Sequence, residues 1–132
     1  MATFLYLKDA NMNTAQTIEY LKDVSQYEYN GTYYDLHNDY DCVNLLLDNS
    51  IFTLTFRKID DNTIVTLNFT DVTLTKFIVP VVANDDAVTI DIIYRGRNSL
   101  FEKDEHGRAY FYIDFYDDKS IELWVNSIYL DS

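Results

Sequence analysis

Cysteine, proline and glycine are scarce in this 132-residue chain, which holds one, one and three of them. A lone cysteine, Cys42, closes no disulfide framework and builds no four-cysteine zinc site. So few glycines and prolines exclude collagen-like and low-complexity classes. No apolar stretch approaches the roughly 18 residues of a membrane-spanning helix. The N-terminal apolar run is short, Phe4 to Leu7, and its first basic residue, Lys8, follows it, the reverse of a secretory leader. With a single thiol, this order gives the expectation of a cytoplasmic protein. Basic side chains are also few: 10 Lys and Arg face 22 Asp and Glu, for a net charge of −12. Nucleic acid and anionic membrane are therefore excluded as expected partners, because both would meet a like-charged surface.

What the chain does have is apolar and aromatic material, 48% and 16% of it, including 12 tyrosines. Disordered acidic tails lack such residues. A chain of this length buries about two-thirds of its unfolded surface, enough for a core without staples. It has no repeat and no linker, so residues 1–132 read as one domain.

The period of the apolar residues sets the fold class. In residues 50–58, Phe52, Leu54 and Phe56 alternate with polar neighbours, and in 63–70 Val65, Leu67 and Phe69 do the same. Residues 72–79, 87–94, 108–116 and 120–129 repeat the pattern, which is that of half-buried antiparallel strands. Between them lie Asp48-Asn49, Asp60-Asp61-Asn62, Asn84-Asp85-Asp86, His106-Gly107 and Asp117-Asp118-Lys119, residues that accept left-handed backbone at turns. Asn30-Gly31, flanked by Tyr27, Tyr29, Tyr33 and Tyr34, is a short hairpin signal. Pro80 should end a strand or lie on an edge. Asn13 as cap, Gln16 at the capping-box position and the stripe Ala15, Ile18, Leu21, Val24 predict one helix over residues 14–24. The expected fold is mainly β with one helix, an antiparallel β-sandwich or strongly curved sheet of about eight strands.

Several segments could carry chemistry. Asp35, His37, Asp39 and Asp41 alternate, and on an extended backbone they would point one way toward a metal ion; the same residues equally suit a polar turn bonded to its own backbone. Arg95-Gly96-Arg97 could fork onto an anion, or merely neutralise surrounding acid at a strand end, in which case replacing both arginines by alanine should change stability little. His37 and His106 stand in no catalytic motif, Cys42 opens an apolar run and reads as a small buried hydrophobe, and there is no phosphate-binding loop. Among 22 acids some pairs will fall at glycosidase spacing by chance. No enzyme and no cofactor is expected.

The tyrosines give the candidate site. Tyr110, Tyr112 and Tyr116 fall with Asp114 on the face opposite Phe111, Ile113 and Phe115, while Glu122 and Trp124 lie opposite Ile121, Leu123 and Val125. Rigid rings mixed with carboxylates form a protein- or sugar-binding surface, unless another layer covers them. The expected contact residues are Tyr112, Asp114, Tyr116, Glu122 and Trp124, with Asp39 and Asp41 as a rim. In size, acidity and β-rich plan the whole chain resembles the small immunity proteins of bacterial polymorphic-toxin and contact-dependent inhibition systems, although no diagnostic motif carries the likeness. That resemblance implies a basic protein partner, a toxin, neutralised by covering or distorting its active site. A carbohydrate- or small-ligand-binding sandwich and a homo-oligomer that buries its aromatic face are the other readings of the same residues.

Overall fold

A computed structural model describes residues 13–80, 88–96 and 106–132. Among them are eleven strands: β1 (Asn13–Thr14), β2 (Gln26–Tyr29), β3 (Thr32–Asp35), β4 (Tyr40–Asp48), β5 (Ile51–Lys58), β6 (Ile64–Thr70), β7 (Thr73–Ile78), β8 (Ile90–Arg95), β9 (Ala109–Phe115), β10 (Ser120–Val125) and β11 (Ser127–Asp131). They form a five-stranded sheet in the order β1-β11-β6-β5-β4, a four-stranded sheet β7-β10-β9-β8, and the hairpin β2-β3. Every strand pair is antiparallel. The fold is mainly β, and no described helix is long and apolar enough to cross a membrane.

Alternation explains the core. Phe52, Leu54, Phe56, Val65, Leu67 and Phe69 of the five-stranded sheet are buried in one cluster with Phe111, Ile113, Ile121 and Leu123 of the other. The Phe69 and Phe111 rings meet edge-on at 6.4 Å. Two strands pass from one sheet to the other at a shared corner: β6 continues into β7 through Asp71 (φ 51°), and β10 into β11 through Asn126. Asn126 N–H donates to Thr70 O at 2.9 Å, tying the two bends together. Residues 120–129, one run by sequence period, are therefore two strands in different sheets. On the opposite side Cys42 and Val88 exchange backbone bonds of 3.0 and 2.9 Å, so β4 meets the chain leading into β8.

The expected helix over residues 14–24 is replaced by β1, a 3-10 turn at Ala15–Thr17 and an irregular segment. Leu21 adopts φ 62° and is exposed, breaking the apolar stripe that Ala15, Ile18 and Val24 still bury. Tertiary partners outbid the local pattern. Leu21 N–H donates to Arg95 O (2.9 Å) and Val24 N–H to Ile93 O (2.6 Å), so the segment covers the outer edge of β8. The Arg95 guanidinium donates to the carbonyls of Gln16 (2.5 Å) and Ile18 (2.9 Å), which a helix would have used internally. Asn13 bonds the Tyr27 hydroxyl instead of capping. Arg95 is thus a buried tie, which reverses the expectation that its loss costs little; Arg97 lies outside the described residues.

The turn residues behave as read. Asn30 and Gly31 (φ 52° and 80°) make a two-residue turn closed by Tyr29↔Thr32, the left-handed pair such hairpins require. Asn49, Asn62, Asp117, Asp118 and Gly107 also have positive φ, while Asn84-Asp85-Asp86 lies outside the described residues. Edge strand β7 ends two residues before Pro80. Cys42 is buried, and burial pushes its thiol up to about 12.

Candidate functional site: an acidic cleft beside a tyrosine cluster

Register brings the candidate residues of β9 and β10 onto one outer face. Tyr112 pairs with Glu122, Tyr110 with Trp124 and Asp114 with Ser120. On the flanks β8 sets Tyr94 beside Tyr112, and β7 sets Lys76 beside Glu122. Tyr94 stacks on Tyr112 (centroids 5.2 Å apart, planes 11°), Tyr110 stands perpendicular to Tyr112 at 5.3 Å, and Trp124 meets Tyr110 edge-on at 4.7 Å. Such pairs add about 0.5–1.5 kcal/mol each beyond burial.

Polar bonds fix the rings. Tyr94 donates to Asp114 Oδ2 at 3.1 Å and Tyr110 to Glu122 Oε1 at 3.0 Å. The other Glu122 oxygen lies 3.6 Å from Lys76 Nζ. A bulge where β7 passes Glu122 and Leu123 turns the Thr75 hydroxyl onto the Tyr110 hydroxyl and the Glu122 carbonyl. Burial raises the Tyr110 phenol above its ordinary value; the Thr75 hydroxyl opposes this, and the Glu122 carboxylate adds to it, so the phenol stays a donor.

These contacts decide what the face can offer. Tyr94, Tyr110 and Tyr112 are only 4–6% exposed, so β9 is covered on both faces rather than wet on one. Of the expected contact residues, Tyr112 is buried, Trp124, Asp114 and Glu122 are half-buried, and Tyr116 is 51% exposed.

The accessible part lies at the turn joining β9 and β10. There a cleft of about 440 Å³ is lined by Asp91, Asp114, Asp117 and Asp118, with Tyr116 on its wall and Lys76 and Lys119 as its cations. A second, mostly apolar cleft of about 450 Å³, lined by Leu21, Ile92 and Tyr94, shares Asp114 with it. The His37 ring, 6.5 Å from that of Tyr116, donates from Nδ1 to Ile90 O at 2.7 Å and draws the turn after β3 to the same end. Of the expected rim, Asp39 is exposed in that turn, where its carbonyl accepts from Ile59, and does not line the cleft; Asp41 is half-buried on β4, paired in register with Arg57.

Asp35, His37, Asp39 and Asp41 do not share a face, because residues 36–39 form a turn rather than a strand. Burial alone would raise Asp35, but bonds from Asn38 (side chain 2.9 Å, backbone 3.0 Å) hold its carboxyl below the usual range. Among the described residues no group of three His, Cys, Asp or Glu gathers for a metal ion.

Sequence reasoning missed Asp91, because its place beside Asp114 is set by the pairing of β8 with β9, which the period of one strand does not contain. Strict alternation over residues 87–94 places Ile90 and Ile92 together, but the ladder shifts between them. Ile90 and Ile93 are buried in the core, and Asp91 lines the outer cleft. Asp117 and Asp118 were legible only as turn residues; their closeness to Asp114 follows once β9 and β10 are seen as one hairpin. Compared with protein-family models, curated proteins and solved structures, the chain matches none.

Proposed function

We propose that this protein is a non-enzymatic binding module that takes a basic protein partner at the acidic cleft beside Tyr116. The observation that carries the reading is the cleft: four carboxylates around one concavity, in a chain of net charge −12, with an exposed ring at its wall. A lysine or arginine side chain entering it trades water for charge-assisted bonds and packs its stem against Tyr116. The overall charge steers encounter with a positive surface. In this reading the two sheets are a β-sandwich scaffold and the buried tyrosine cluster stiffens the face behind the cleft. The resemblance to immunity proteins makes the partner a basic toxin and the action stoichiometric neutralisation in the cytoplasm. The carbohydrate reading draws no support from the rings, since Tyr112 and Trp124 pack on other side chains instead of standing free to stack on a sugar.

Affinity capture from a lysate of the source cell at about 50 mM and about 500 mM salt tests the proposal, since screening shortens from roughly 14 Å to 4 Å over that range. A basic protein held at low salt and released at high salt is expected. Capture of no protein, or of one indifferent to salt, overturns it.

A further inference from the structure

We infer that the basic partner carries an aliphatic side chain two residues from the lysine or arginine that enters the acidic cleft, and that this second side chain seats in the apolar cleft lined by Leu21, Ile92 and Tyr94. This inference rests on the basic-partner reading and adds what the partner segment must display beside its charge.

The two clefts meet at Asp114, which lines both. A bulge in β8 sets the division between them. Ile90 pairs with Phe115 and Ile92 with Asp114, so Asp91 is the extra residue in the ladder. Ile90 and Ile93 stay in the core, while Asp91 is exposed in the acidic cleft and Ile92 packs on the outer tyrosine cluster. Consecutive residues of one strand thus give a wall to each cleft. Tyr94 O–H donates to Asp114 Oδ2 at 3.1 Å, so on the apolar side that oxygen is bonded from within the protein.

Leu21 is the wall that core packing does not account for. Its φ of 62° is uncommon for a bulky side chain, and asparagine or glycine would hold it with less strain. Its N–H donates to Arg95 O at 2.9 Å, which fixes it at the end of β8, yet the residue is 57% exposed. A leucine held there gains little from burial within the chain and gains more when an apolar group enters the cleft of about 450 Å³ that it lines. Charge decides what carries that group. Asp91 and Asp114 beside the cleft repel an anionic lipid surface, and a second copy sets the same net charge of −12 against itself. A cationic protein segment meets attraction at one cleft and burial at the other. In an extended segment, side chains two residues apart share a face at roughly 7 Å, which suits clefts with a wall in common.

The test titrates the full chain, labelled at its methyl groups for NMR, with the peptide acetyl-Ser-Lys-Ser-Leu-Ser-amide and two twins, one with serine for the leucine and one with glutamine for the lysine. The Lys–Leu peptide should shift the Leu21 and Ile92 methyl signals saturably and bind at least about fivefold more tightly than the serine twin. Leu21→Asn suits the left-handed backbone and removes the apolar wall, and Ile92→Thr keeps the β-branch. With Tm as the control on folding, each should bring the Lys–Leu peptide down to the affinity of its serine twin and leave the serine twin's own unchanged. Equal affinity of those two peptides, both above the glutamine twin, overturns the inference while the acidic-cleft reading stands. So does binding that leaves the Leu21 and Ile92 methyls unmoved, or variants that weaken both peptides alike. If the glutamine twin binds as well as the Lys–Leu peptide, or none binds, the acidic-cleft reading falls, and this inference with it.

Discussion

Replacing Arg95 by alanine removes a guanidinium that holds a non-helical segment against the edge of β8. Its Nη1 donates to Gln16 O and Ile18 O at 2.5 and 2.9 Å, and its carbon head lies 4.4 Å from the Tyr20 ring centre. Bonds from a charged donor contribute about 1.5–3 kcal/mol each, and a partly exposed cation–π contact about 0.5–1 kcal/mol. The backbone bonds of Leu21 and Val24 to β8 survive the change, so the freed carbonyls can partly resolvate. A loss of about 3 kcal/mol is expected, a large share of the 5–15 kcal/mol typical of a domain. For a chain of this size that lowers Tm by about 10 °C. Arg95→Lys keeps the charge without the planar fork and should lose about 1–2 kcal/mol. Urea denaturation followed by Trp124 fluorescence measures both. A change below about 0.5 kcal/mol for Arg95→Ala would refute the tie and restore the reading of Arg95 as a surface neutraliser.

Cys42 should resist a thiol reagent at pH 8 until the chain is unfolded, as its folded value of about 12 implies; fast labelling of the native protein would contradict its burial. Because that value is raised from 9.0, the unfolded chain ionises first, so stability is intact below pH 9 and falls between pH 9 and about 12, by about 1.4 kcal/mol at pH 10. Cys42→Ala should flatten that alkaline limb in denaturation curves at pH 8 and 10. Asp35 has the opposite sign: its carboxyl is held low by Asn38, so its contribution is present above the ordinary aspartate value and lost as pH falls through the folded one. Asn38→Ala should weaken the acid limb of a stability–pH profile, and an unchanged profile would count against the Asp35–Asn38 bonds. Gly31→Ala meets no atom within 4 Å but must hold φ near 80°, so about 1 kcal/mol of loss is expected from backbone alone.

Where side-chain period and turn chemistry act locally, the sequence was a sufficient guide. Residues 50–58 and 63–70 became β5 and β6 with Phe52, Leu54, Phe56, Val65, Leu67 and Phe69 inward, because both sit mid-sheet with one face on the core. Asn30-Gly31 closed its hairpin for the same local reason. Failures came where a distant partner supplied the deciding bond. The stripe over residues 14–24 lost to the Arg95 guanidinium and the open edge of β8. Asn126 divided an unbroken alternation because its neighbours had to turn the corner with Thr70 and Asp71. Tyr112 looked outward, and it does lie opposite Phe111, but Tyr94 of β8 stacks on it while Tyr110 of its own strand stands edge-on to it, and no single-strand pattern contains the ring from β8. The acidic cleft was half legible: Asp114 and Tyr116 were named, whereas Asp91, Asp117 and Asp118 join them only through the β8–β9 pairing and a hairpin turn.

The double substitution Asp117→Asn/Asp118→Asn tests the acidic cleft most directly. Both residues hold positive φ, 64° and 60°, which asparagine accepts at least as well, so two charges leave the cleft with the turn intact. Affinity for the captured basic protein, measured across a salt series with Tm as a control on folding, should fall at least about tenfold at low salt, and the salt dependence should become shallower. Unchanged affinity and an unchanged salt slope, with the fold preserved, would contradict the acidic cleft as the place where a cationic partner is held.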